Sequence, residues 1–86
     1  MSVSLPSHVT VADTDGGAMV LLDEHTGKYW QLNPTGALVL RLLLRGATAE
    51  DAAAALAARH PQAGAGAGED VARLVEALRH AGLIHG

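Results

Sequence analysis

The chain has no cysteine and no phenylalanine, and its 86 residues hold only two aromatics, Tyr29 and Trp30. Without cysteine, a disulfide framework and a thiolate zinc site are both excluded, which agrees with a reducing compartment. With so few aromatics the core must be built mostly from Ala, Leu and Val, which favours helices packed at short distances. Basic residues are also scarce. Lys28, Arg41, Arg45, Arg59, Arg73 and Arg79 are spread along the chain against nine acids, for a formal charge of −3. A duplex binder making roughly 6–10 phosphate contacts would need nearly all of them on one face. No apolar run approaches the ~20 residues that span a bilayer. The opening MSVSLPSHV has neither a charged segment nor a long apolar one. The expectation is a cytoplasmic, soluble protein with no membrane and no nucleic-acid partner.

A length of 86 residues leaves room for one modest core, burying a little over ~60% of the unfolded surface. Residues 1–7 contain Pro6 and no periodicity, and they read as a flexible tail before a single domain over 8–86. From His8 the pattern HVTVAD alternates, as a half-buried strand does. Asp13–Gly17 reads as a turn, Ala18–Asp23 as the central strand, and Asp23–Gly27 as a second turn with Gly27 left-handed. The third strand is then Lys28–Leu32, with Trp30 and Leu32 expected on the helix-covered face and Tyr29 and Gln31 opposite.

Asn33-Pro34 is a helix start, with Asn as cap and Pro where its missing N–H costs nothing. The helix stops at Gly46. Val39, Leu40 and Leu43 lie opposite Arg41 and Arg45, and Leu42 and Leu44 widen the arc until both faces read as buried. Thr48 opens an Ala-rich second helix that ends near Pro61. PQAGAGAG (61–68) reads as a flexible connector. The last helix starts at Glu69 and carries a core stripe of Val71, Leu74, Val75 and Leu78. It stops at Gly82, with Leu83 and Ile84 folding back. The order is βββααα, an α+β fold with three antiparallel strands on three helices.

Chemistry-bearing motifs are sparse. Gly64–Gly68 precedes a helix, but no strand comes before it and Glu69-Asp70 would repel phosphate, so it reads as a linker. His8, His25, His60, His80 and His85 show no i, i+4 pair and no carboxylate at ligand spacing, and read as solvated or helix-capping; no metal or other cofactor is expected. No Ser or Thr stands in a nucleophile–base arrangement, so catalysis is not expected.

What remains is a backbone. Three hairpin-linked strands leave two edges, and the third carries no guard beyond Lys28. Such an edge can capture an extended peptide. About five hydrogen bonds at roughly 1 kcal/mol net each would meet an association cost of ~4–15 kcal/mol, so peptide side chains must also be buried. Leu74, Ala77 and Ala81, with Arg73 at the rim, form a flank on the last helix with room for them. Trp30 is expected to be the floor that pins the strand to the core.

LLDEHTGKYWQLNPTG (21–36), the following Leu-Arg-Leu-Leu run, the Ala-rich second helix and the closing Ala-Gly-Leu-Ile resemble the PqqD-like leader-peptide recognition elements of ribosomally made, post-translationally modified peptide pathways. The resemblance runs from about His8 to Ile84 and is nearest to the stand-alone form of lasso-peptide biosynthesis. It implies a winged-helix-like, non-catalytic adaptor. Such an adaptor adds a precursor's leader peptide as a strand and delivers it to a separate papain-like leader peptidase, with the cyclase as a further candidate partner. Carried onto this chain, the binding positions are Lys28, Tyr29, Trp30, Gln31 and Leu32 on the strand and Arg73, Leu74, Ala77, His80 and Ala81 on the last helix. The alternatives are a peptide chaperone for a radical-SAM enzyme and, in a different class, a small winged-helix DNA-binding regulator.

Overall fold

The computed structural model describes residues 3–62 and 64–86. Three strands, β1 (Val9–Asp13), β2 (Met19–Asp23) and β3 (Tyr29–Leu32), form an antiparallel sheet in the order β1-β2-β3, with the apolar strand in the middle as its composition requires. Three helices follow, α1 (Pro34–Leu44), α2 (Ala49–Arg59) and α3 (Ala67–His80).

The caps form as their residue types dictate. Asn33 Oδ1 accepts from the Gly36 amide at 2.9 Å and from the Thr35 hydroxyl at 2.8 Å, and Thr48 Oγ1 accepts from the Asp51 amide at 3.0 Å. At the end of α3, Gly82 takes φ +75. This lets the Leu83 amide reach the Leu78 carbonyl at 2.9 Å and the Gly82 amide reach that of Arg79 at 3.0 Å. Leu83 and Ile84 are thereby turned into the core, where both are buried.

One face of the sheet lies on the helices. Met19 and Leu21 of β2 are buried there beside Val9, against Ala37, Val39, Leu40 and Leu43 of α1, Leu56 of α2, and Val71, Val75 and Leu78 of α3. Arg41 ties α1 to the first hairpin, its guanidinium 2.7 Å from Asp13 Oδ1 and 3.3 Å from the Gly17 carbonyl.

Three expectations need correction. The segment 1–7 is not a free tail over its described part. Val3 is 7% exposed within the core, and Ser4 exchanges backbone hydrogen bonds with His85 at 3.1 and 2.8 Å. A single bridge needs no periodicity, so the pattern hid it; residues 1 and 2 lie outside the described residues. The connector 61–68 is shorter than expected, because a 3-10 turn at Gly64–Gly66 leads straight into α3 at Ala67, whose small side chain is buried. Residue 63 of that connector also lies outside the described residues. The third correction concerns Trp30 and belongs to the site.

Candidate functional site

The β2–β3 turn sets the edge. The Asp23 carboxylate accepts from the amides of His25 (2.9 Å) and Thr26 (3.4 Å) through Oδ1. Loss of water raises its pKa, but those two amides, together with the His8 imidazole, outweigh that and leave the carboxyl below its usual value. Gly27 follows at φ +74, a conformation that side chains with a Cβ rarely adopt, and its amide bonds the Asp23 carbonyl at 2.8 Å.

From there the register decides which backbone groups are free. The Asp23 amide donates to the Lys28 carbonyl at 2.9 Å, which makes Asp23–Lys28 a hydrogen-bonded pair. With Leu22↔Tyr29, Leu21↔Trp30, Val20↔Gln31 and Met19↔Leu32 in register, the bonded pairs alternate. Trp30 and Leu32 turn their N–H and C=O toward β2, while Tyr29 and Gln31 turn theirs outward. The opposite edge differs. On β1 the outward groups belong to Val9, Val11 and Asp13, and the Val9 amide is already bonded to the Pro6 carbonyl at 3.0 Å. Of the two edges, β3 is the one that the chain's own preceding segment does not touch.

The same register puts Trp30 and Leu32 on the face of Met19 and Leu21, as expected from alternation. Yet Trp30 is not a buried floor. It is 45% exposed, whereas Leu21 beside it is 0% exposed. The helices cover the centre of the sheet, and the indole of an edge strand overhangs them. Tyr29 is 68% exposed on the other face next to Leu22 at 37%, and these three are the exposed large hydrophobics among the described residues. Gly27, Lys28, Tyr29 and Trp30 line a shallow depression along the start of the strand.

At the far end of β3 a second cavity, about 360 Å³, opens between the first turn of α1, the end of α2 and α3. Asn33, Gly36, Val39, Leu56, His60 and Leu74 are among its lining residues. Leu74 is therefore brought to the end of the strand, half-buried and packed on the core. Arg73, Ala77, His80 and Ala81 line neither cavity. Arg73 is exposed, 3.6 Å from Asp70, and Ala77 and Ala81 continue the Leu74 flank one and two turns farther along. Sequence reasoning missed the part of Asn33 and Gly36 in the cavity. Asn33 reads as a helix cap, and no local signal marks Gly36.

A family described as coenzyme PQQ synthesis protein D matches residues 18–84. The chain belongs to the PqqD family. Among solved structures, one described as lasso peptide synthetase B1 complexed with the leader peptide is 38% identical, with a TM-score of 0.90 and 100% of each chain covered. TbiB1 in complex with the TbiA(beta) leader peptide is 27% identical, with a TM-score of 0.79 over 100% of this chain and 96% of that one. No curated protein sequence matches the chain. The β3 edge and the helices behind it thus belong to a PqqD fold, seen with leader peptides in these two relatives. Among the described residues no helix is long and apolar enough to cross a membrane.

Proposed function

We propose that this protein is a non-catalytic, cytoplasmic adaptor that binds the leader region of a lasso-peptide precursor and presents it to a separate papain-like leader peptidase. The leader adds as a fourth strand along β3. It pairs with the outward groups of Tyr29 and Gln31 between Lys28 and Leu32, and sends side chains toward Leu74 and the flank formed by Arg73, Ala77, His80 and Ala81. The observation that carries the reading is the free β3 edge, on a fold whose whole length superposes on a leader-bound relative. Main-chain pairing suits an adaptor, because it holds any extended segment and leaves selectivity to a few side-chain contacts.

Fluorescence polarisation with a labelled leader from the cognate precursor tests the first half. Saturable binding by tens of micromolar, roughly 6 kcal/mol or more, is expected, and a flat titration refutes it. Reconstitution with the peptidase tests the second. Precursor cleavage should accelerate when the adaptor is added, and the adaptor alone should release no product.

A further inference from the structure

Two histidines that lie seventeen positions apart in sequence meet at one end of the sheet. The His8 carbonyl accepts from the Glu24 amide at 2.8 Å, which extends the β1–β2 pairing one step beyond Val9↔Asp23. That pairing draws His8 against the turn that carries His25. The two imidazoles stack with centroids 4.2 Å apart and planes inclined by 10°. One ligand atom from each ring and a carboxylate oxygen of Asp23 all lie within 4.8 Å of one another. Spacing along the chain does not show this cluster, which the hairpin register assembles.

We propose that His8, Asp23 and His25 form a binding site for one divalent transition-metal ion of the zinc class, with a further coordination position left to water. The donor chemistry selects the ion. Two imidazoles and a carboxylate suit zinc, nickel or copper, whereas magnesium and calcium prefer all-oxygen sets. Asp23 is held ready, since its Oδ1 is fixed by the amides of His25 and Thr26 while Oδ2 takes no part in those bonds. Its backbone is fixed too, through the Lys28 carbonyl and the Gly27 amide.

Metal bonds of about 2.0–2.1 Å in a tetrahedron place donors roughly 3.3 Å apart. The three groups therefore close from a separation of up to 4.8 Å, by side-chain rotation that opens the ring stack. His25 is exposed on a turn, so its rotation meets little packing, while His8 is half-buried beside β1. The bound ion would bridge the start of β1 to the turn that leads into β3. It would do so on the chain's own residues, with no contribution from the peptide.

The test is calorimetric titration of zinc chloride, and separately magnesium chloride, into tag-free, metal-stripped protein, with imidazole resonances followed by NMR. One zinc ion per chain is expected, with no magnesium binding and with the His8 and His25 rings shifting first. His25→Gln and His8→Gln should each weaken zinc at least tenfold, while His60→Gln and His80→Gln leave it unchanged. No saturable zinc uptake overturns the proposal. So does an affinity that depends on His60 or His80 as much as on His25. If His8→Gln does not fold, the exposed His25→Gln decides alone. Leader binding is read in a separate assay without metal, so the two readings fail independently.

Discussion

Proline at two neighbouring positions of β3 should have opposite consequences, because the register gives the two amides different tasks. The Gln31 N–H faces away from β2, and that of Trp30 faces into the ladder opposite Leu21. Gln31→Pro therefore removes no hydrogen bond of the free protein, and its stability should fall by no more than about 1 kcal/mol in urea denaturation. The free edge offers two N–H and two C=O groups, from Tyr29 and Gln31, worth about 4 kcal/mol in all at ~1 kcal/mol net each. Losing one donor costs about 1 kcal/mol. The pyrrolidine ring also projects into the space an added strand would fill and weakens a neighbouring bond by a similar amount. A loss of ~2 kcal/mol is about 30-fold in leader affinity, measured by polarisation. Trp30→Pro instead breaks the β2–β3 ladder and should lower the unfolding midpoint before any peptide is added. A folded Gln31→Pro variant with undiminished affinity, or a Trp30→Pro variant as stable as the parent, would refute the pairing argument.

Four further substitutions separate core, edge and cap. Leu21→Ala, at a fully buried position, should cost about 2–5 kcal/mol of stability. Trp30→Ala should cost less than Leu21→Ala because half the ring is already in water, yet weaken leader binding roughly tenfold by removing an anchor worth ~1.5 kcal/mol; equal stability losses would contradict the exposure difference. Leu74→Asp puts a charge beside Asp70 at the cavity mouth and should reduce leader affinity at least about tenfold with the helical circular-dichroism signal retained. Asn33→Ala removes the α1 cap and should cost about 1 kcal/mol, read as roughly 4–8 °C in thermal denaturation.

The sequence was most legible where local chemistry dictates structure. Asn33-Pro34, Thr48 and Gly82 mark their helix ends because caps depend on a few adjacent residues, and the apolar run of β2 announced a central strand. It was least legible where distant segments meet. Val3 reaches the core through one bridge to His85, and His8 meets Asp23 and His25 only once the hairpin register is known. Trp30 shows a different limit. Alternation gives the face a side chain occupies, but not how far the opposing layer extends, and here the helices stop short of the edge. For the candidate site, the strand residues Lys28–Leu32 could be read from pattern. Of the helix residues, only Leu74 lines a cavity at the strand's end.

That overhang bears on how an edge can be open without being sticky. A long, flat, apolar edge invites other copies of the chain, and proteins blunt this with short strands and charge. Here β3 is four residues long and is preceded by Lys28, so pairing alone supplies about 4 kcal/mol, the bottom of the ~4–15 kcal/mol cost of association. A second copy pairing only by backbone would not hold. A strand that also buries side chains would, and exposed apolar groups flank the edge on both faces: Trp30 on the helix-covered face, Tyr29 with Leu22 on the other. Successive residues of an added strand point to alternate faces. Two apolar residues an odd number of positions apart could thus engage both faces at once, adding ~1.5–3 kcal/mol each. Selectivity would then follow from that spacing, and a leader variant with one of the pair shifted by a single residue should lose most of its affinity while keeping its composition.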